Sequence, residues 1–265
     1  MRTYLINLAR RPDRLGAMRA AAAPLGLVLT PVTAVDAAAA EPAMVNRWFT
    51  KGGPLGEIPA GDKCCLLSHR LAWEMFLATP DAHAVFLEDD VRLSDAAGAL
   101  LAGDGWIPGD AAVVKLEHYG PPGQRVLLAD WRRAGGGFRL GRMLSRHTGA
   151  AAYILSRGAA EILLAETRFD LPVDHLLFNP NNSRLFARLR PWQLVPAIAR
   201  QQEFVGAKSD IESTRKSLRT FGLTYMRREL VRFGYDLKLI PRQLLALLRG
   251  AEFVAVRTMD QPRGD

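Results

Sequence analysis

An α/β fold is what this sequence predicts, on three observations. It opens strand–helix–strand: Tyr4-Leu5-Ile6-Asn7-Leu8 is a short apolar run, Leu15 to Leu25 has helical composition, and Leu27–Leu29 with Val32–Val35 is extended. A second helix-then-strand unit follows, Cys64–Leu77 and then Ala84-Val85-Phe86-Leu87. A third pairs the strand-like Ala150–Leu155 with the helix-like Gly158–Glu166. Alternation of this kind builds a sheet with helices laid on it.

Each element has its punctuation. Arg10-Arg11-Pro12-Asp13-Arg14 ends the first strand, and Gly26 stops the first helix. Glu41 to Ala60 is rich in Pro and Gly and is expected to be loop. Pro80-Asp81 terminates the Cys64–Leu77 helix, and Glu88-Asp89-Asp90 closes the strand after it. Ala111 to Leu116 is a further strand, set off by Pro108-Gly109-Asp110. The Gly-rich stretch between Leu116 and Gly149 is expected to be irregular.

At 265 residues the chain is one large domain, or one domain with an appendage, and it needs no disulfide to hold a core. Apolar residues at 49% and charged residues at 23% exclude wholesale disorder. The only cysteines, Cys64 and Cys65, are adjacent, so a stapled secreted framework is not available. The uncharged run Ala20–Val35 is interrupted by Pro24, Gly26 and Pro31 and is too short to span a bilayer. The N-terminal apolar run is too short for a signal peptide, so a soluble or peripheral protein is expected.

Charge is the informative quantity. The net +8 resides mostly between Arg215 and Arg249, where nine Lys/Arg face only Glu229 and Asp236. Within that segment Met226, Leu230, Phe233, Leu237, Ile240, Leu244 and Leu247 form one apolar stripe at helical spacing. A basic amphipathic helix of this kind fits an anionic membrane surface; the alternative is a helix packing its stripe on the body, and Pro241 divides it either way. No nucleic-acid module accompanies the basic residues, so nucleic acid is not an expected partner. The expected organisation is a folded body over 1–213 and a basic, mostly helical tail over 214–265.

Three motifs could carry chemistry. Glu88-Asp89-Asp90 delivers three acids at a strand's carboxyl end, where open α/β sheets bind ligands. Adjacent carboxylates repel one another, and a hard cation such as Mg²⁺ or Mn²⁺ is one reason to tolerate that; an acidic turn is the other reading. Asn7 with Arg10, Arg11 and Arg14 follows the first strand and offers guanidinium groups to phosphates, or forms a solvated helix start. Asp174-His175 after Leu171-Pro172 supplies a candidate general base in Asp174, or is a plain polar pair; His69 of Ser68-His69 on the Cys64–Leu77 helix is a catalyst or, beside Trp73, a satisfied structural residue; and Lys115 ends a strand where it could face the same site. No Gly-x-Gly-x-x-Gly or Walker-type loop is present, and no Cys/His set has zinc-finger spacing.

The ordered blocks Tyr4–Arg14, Gly61–Trp73, Ala84–Val91, Val113–Leu116, Gly149–Leu164, Pro172–Asp174 and Ser209–Ile211 resemble glycosyltransferase family 25, the lipopolysaccharide and lipooligosaccharide galactosyltransferase type. The resemblance implies a GT-A-like, Rossmann-like nucleotide-sugar-binding domain and inverting transfer of a hexose from a UDP-sugar, commonly UDP-galactose, to a glycan or glycolipid hydroxyl. It implies Asp90 and Glu88 as ligands of Mn²⁺ or Mg²⁺, and Asn7, Arg10, Arg11, Arg14, Asp36, Glu88 and Asp89 as donor contacts, to which the strand-end Lys115 is added from its position. Asp174 becomes the base for the acceptor hydroxyl, with His69 the second catalytic candidate. One departure is local: Cys64-Cys65 stands where the family has Gly-Cys. With the basic tail, the expected location is the cytoplasmic face of the inner membrane. The alternatives are another donor or acceptor (UDP-glucose, protein hydroxylysine) or a silent sugar-nucleotide-binding scaffold.

Overall fold

The computed structural model describes residues 1–121, 124–202 and 237–259. Its spine is a nine-stranded mixed sheet. The amino-terminal part comprises β1 (Arg2–Asn7), α1 (Pro12–Ala22), β2 (Leu29–Thr33), α2 (Pro42–Asn46), α3 (Ala60–Leu77), β3 (His83–Glu88), β4 (Val91–Leu93) and α4 (Ala97–Leu101). Next come β5 (Val113–Lys115), β6 (Glu117–His118), β7 (Arg125–Gly135), β8 (Phe138–Met143), β9 (Ala152–Ser156), α5 (Arg157–Leu164), α6 (Val173–Phe178) and α7 (Phe186–Leu189). β10 (Trp192–Val195), β11 (Ala199–Gln201) and β12 (Glu252–Ala255) complete the set. The order across the main sheet is β12-β7-β8-β10-β5-β9-β3-β1-β2, and β4-β11-β6 form a small second sheet.

Local sequence explains the key elements. Pro12 occupies the first turn of α1 with Asp13 beside it, and the chain leaves the helical stretch through Gly26 in the left-handed region (φ +67°). On α3 the buried residues Asp62, Leu66, His69, Trp73 and Phe76 recur at steps of four and three, which turns one face onto the sheet. Ser156 caps α5, its Oγ accepting the Ala159 N–H at 3.2 Å. β3 is buried on both faces: Ala84 and Phe86 join the core under α3, while Val85 and Leu87 join the core under α1 and α4.

One cross-strand row leads to the site. Tyr4, Phe86, Tyr153 and Lys115 are register partners on β1, β3, β9 and β5. Tyr4 stacks on Phe86 and Phe86 on Tyr153, with centroids 5.5 and 5.3 Å apart. Each such pair adds about 0.5–1.5 kcal/mol beyond its area.

Two expectations change here. The Gly-rich stretch is not irregular: it holds the long β7–β8 hairpin, which reverses through Gly135, Gly136 and Gly137, all at positive φ. The 41–60 segment holds the short helix α2 as well as loop. In the basic tail, residues 214–236 lie outside the described residues, and residues 237–248 are helical. Leu237, Ile240, Leu244 and Leu247, the part of the stripe within the described residues, are between 36% and 57% exposed, so this part is not packed on the described body. An adjoining side holds the helix in place, through Gln243 Nε2 donating to the Leu144 carbonyl at 3.0 Å and Ala246 against Leu127 and Ala129. Beyond it, β12 pairs antiparallel with β7 at the sheet edge.

Candidate active site

β1, β2 and β3 run parallel, and β5 runs in the same direction because both β3 and β5 pair antiparallel with β9. Their carboxyl ends therefore meet at one edge, the usual ligand edge of an open α/β sheet. Asn7, Glu88-Asp89-Asp90, Lys115 and the Gly149–Ala151 entry to β9 all lie there.

The three acids have three different environments. Asp89 is a knot: Asn7 Nδ2 donates to it at 2.7 Å and Arg14 Nη1 pairs with it at 3.0 Å, joining β1, α1 and β3. Glu88 turns to α3, where His69 Nε2 lies 3.1 Å and Cys65 Sγ 3.6 Å from its Oε1, while Gln201 Nε2 donates to Oε2 at 3.3 Å. Asp90 keeps a buried carboxylate oxygen, Oδ1, with no hydrogen-bond partner among the described residues. Burial, reinforced by the charges of Glu88 and Asp89, raises Asp90 from 3.8 to about 7.

His69 is fully buried behind Glu88. Its Nδ1 is 2.8 Å from Tyr153 Oη, which also receives the Trp73 Nε1–H at 2.9 Å. The phenol then donates its single proton to Nδ1, leaving the ring proton on Nε2 to donate to Glu88. His69 thus bonds Glu88 and touches no solvent, an arrangement that fits the structural alternative for a histidine beside aromatics.

Lys115 also differs from expectation. It is fully buried, and its Nζ meets Glu117 Oε1 at 2.8 Å, the Gly149 carbonyl at 2.5 Å and the Phe178 ring face at 4.7 Å. Burial draws Lys115 down and Glu117 up, and their mutual attraction opposes both shifts. Glu117 in turn accepts the Ala151 N–H at 2.8 Å. Lys115 therefore braces the 149–151 turn and offers no charge to a donor. Gly149 is required in that turn: its φ is +91°, and a Cβ there would lie 2.6 Å from Tyr119 Cγ.

Asp174 stands in the first turn of α6, partly exposed, and its carboxylate makes no hydrogen bond among the described residues. Its charge acts on both Cys65 and Lys115, the groups that the charge of Glu88 also reaches. The Cys65 thiol is held well above its ordinary range by burial first and then by Glu88, Asp62 and Asp174. The arginines divide: Arg14 faces the acids, Arg10 pairs with Asp36 at 2.7 Å, and Arg11 pairs with Asp13 at 2.8 Å, away from the acid cluster. Ser68 Oγ accepts the Val35 N–H at 2.9 Å and so ties the Asp36 segment to α3. Beside Asp36 a cleft of about 300 Å³ opens between Ala37, Val45, Asn46, Lys63 and Cys64.

Asn7, Arg14, Glu88, Asp89, Asp90, His69 and Asp174 converge, then, while Arg10 and Asp36 form an adjoining pair. Sequence reasoning overlooked Cys65, Tyr153, Glu117 and Gln201. Glu117 had a signal, since Lys115 and Glu117 sit two apart on one face of an extended segment.

A mixed α/β sheet with acids, an asparagine and an arginine gathered at its ligand edge defines the class: an α/β protein built to take a polar, charged ligand there. The family model of glycosyltransferase family 25 (LPS biosynthesis protein) matches residues 1–177, and the chain belongs to that family. It is 32% identical over 176 residues to the lacto-N-neotetraose biosynthesis glycosyltransferase LgtB of Neisseria gonorrhoeae, covering 59% of this chain and 58% of that protein. It is 24% identical over 143 residues to the lipooligosaccharide biosynthesis protein lic2B of Haemophilus influenzae, covering 49% and 52%. The chain thus spans somewhat over half the length of these relatives. A crystal structure of a glycosyltransferase involved in glycosylation of the major capsid of PBCV-1 aligns over 89% of this chain and 100% of its own, at 10% identity and TM-score 0.39, too loose a likeness to argue from.

Proposed function

We propose that this chain is a GT-A-like, nucleotide-sugar-dependent glycosyltransferase that adds a hexose, with inversion, to a hydroxyl of a lipopolysaccharide- or lipooligosaccharide-type glycan. The relatives' names support that acceptor class, and UDP-galactose is the donor to test first. One observation carries the reading: Asp90, with its unpartnered buried oxygen, follows Glu88 and Asp89 and feels the charge of both at the ligand edge of a family 25 chain.

That orphaned carboxylate oxygen suits a hard divalent cation. Asp90 would hold Mn²⁺ or Mg²⁺, with Glu88 beside it. Such an ion neutralises charge on a departing diphosphate. The chain's own residues do the rest. Asn7 and Arg14 fix Asp89 and thereby the acidic turn, and the Arg10–Asp36 pair precedes Ala37, which lines the cleft in which the nucleoside end of the donor would lie. His69, backed by Tyr153 and Trp73, holds the Glu88 carboxylate in one orientation. Asp174 takes the proton from the acceptor hydroxyl as it attacks opposite the leaving group.

The test is transfer from a panel of UDP-hexoses to lipooligosaccharide acceptors, with Mn²⁺, read by mass spectrometry. Asp174→Asn is expected to lower turnover by about 10²–10⁴-fold, and Asp90→Ala to abolish the metal-dependent rate. Near-normal turnover in Asp174→Asn places the base elsewhere; UDP-sugar binding without transfer to any acceptor favours the silent scaffold.

The exposed stripe of the 237–248 helix, flanked by Lys238, Arg242 and Arg249, supports a second element of the reading, peripheral attachment to an anionic membrane. A lipid-linked acceptor and a UDP-sugar donor meet at the cytoplasmic face of the inner membrane, and that is the location we propose.

A further inference from the structure

We propose that Cys65, His69 and Glu88 form a binding site for a soft divalent cation of the Zn²⁺ type, next to the hard-cation position given to Asp90 and sharing Glu88 with it. Cys65 and His69 stand four residues apart on one face of α3, so both side chains meet the end of β3 from the same side. Their ligand atoms and a Glu88 oxygen all lie within 4.8 Å of one another. A tetrahedral Zn²⁺ with bonds of about 2.0–2.3 Å separates its ligand atoms by roughly 3.3–3.8 Å. The 3.1 Å between His69 Nε2 and Glu88 Oε1, and the 3.6 Å between Cys65 Sγ and the same oxygen, are close to that already. The Cys65 and His69 ligand atoms, within 4.8 Å of each other, would close up as the ion binds.

Two further features fit a metal better than a plain hydrogen bond. The distal nitrogen of His69 is held by Tyr153 Oη, itself held by Trp73, all fully buried. Outer-shell support of this kind orients metal-bound histidines. The ligands also sit in a negative field, since Asp62 and Asp174 join Glu88 around Cys65. Thiolate, imidazole and carboxylate together select Zn²⁺ or Co²⁺ over Mg²⁺. The proton balance is simple. The thiol proton leaves to solvent as the S–metal bond forms. The imidazole proton moves from Nε2 to Nδ1, and Tyr153 Oη then accepts from both His69 and Trp73. Glu88 contributes its Oε1, which already faces both other ligands. Three protein ligands leave a fourth position for water, on the side where Glu88 and Cys65 are partly exposed.

The full-length, chelator-treated protein titrated with Co²⁺ alone tests this. The chain has only two cysteines, so thiolate-to-Co²⁺ charge-transfer absorption reports Cys64 or Cys65 and nothing else. The expected result is one equivalent of Co²⁺ with that band and tetrahedral d–d absorption, displaced stoichiometrically by Zn²⁺ but not by excess Mg²⁺. Cys64→Ala keeps the band and Cys65→Ser loses it. Tyr153→Phe retains the band with affinity lowered by about 10–100-fold. Wild-type protein that binds Co²⁺ without a thiolate band, or not at all, overturns the proposal without reference to any variant. So does a band that survives in folded Cys65→Ser protein.

Discussion

Between the ordinary carboxyl value of 3.8 and about 7, the folded chain keeps on Asp90 a proton that the unfolded chain has lost. Stability therefore falls as pH rises through that window and levels off above it. Asp90→Asn removes the slope and is expected to be more stable than the parent by roughly 2–4 kcal/mol at about pH 8, and little different at about pH 4. Urea unfolding of both proteins at the two pH values measures this, and equal differences at both would show that Asp90 is not the titrating group. Nothing in the triplet Glu88-Asp89-Asp90 tells which acid will be strained. Asp89 is quieted by Asn7 and Arg14, 82 and 75 residues away in the chain, and only the fold brings those partners in. The candidate site was thus legible as a set of residue types, while the division of labour within it was not. His69 shows the same limit: its motif marked it, but its burial behind Glu88 depends on three strands and a helix meeting.

At the level of elements, the short strands β5 and β6 hold the Lys115–Glu117 pair that braces the turn into β9. Lys115→Met strands Glu117 in an apolar setting and is expected to cost about 3–5 kcal/mol. Combining it with Glu117→Leu should recover much of that, because no buried charge is then left alone. A thermal-denaturation cycle over the four proteins gives the coupling; additive losses would mean the pair does not act as a unit. The 237–248 helix should respond in the opposite way. Leu244 and Leu248 are 57% and 86% exposed, so Leu244→Gln with Leu248→Gln is expected to shift stability by no more than about 0.5 kcal/mol each. The same pair should lower recovery on anionic liposomes several-fold, and undiminished flotation would remove the stripe from the membrane reading. The strongly apolar elements β1, α3, β3, β9 and α5 were readable because their periodicity and punctuation agree. The β7–β8 hairpin was not, because Arg125, Asp130, Arg132 and Arg133 interrupt its apolar alternation and its three glycines resemble a disordered linker.

Across the whole molecule, the family-matched span of residues 1–177 supplies β1 to β9 but not β10, which sits between β5 and β8. Without β10 the hairpin has no strand to join it to the rest of the sheet. A fragment of residues 1–177 is therefore expected to lose cooperative unfolding, checked by calorimetry against the full chain; a sharp transition would show that the hairpin is dispensable. The charge balance also gains a second location, since Arg125, Arg132, Arg133, Arg139, Arg142 and Arg146 crowd the hairpin against Asp130 alone within that stretch. The edge strand β12 has a consequence during synthesis. Val254 pairs with Val126, 128 residues earlier, so the hairpin emerges from the ribosome long before its outer partner exists. For that interval β7 is an open template of unpaired amides and carbonyls, the state in which nascent chains pair with one another. The arginines lining the hairpin repel other copies of the same hairpin during that wait.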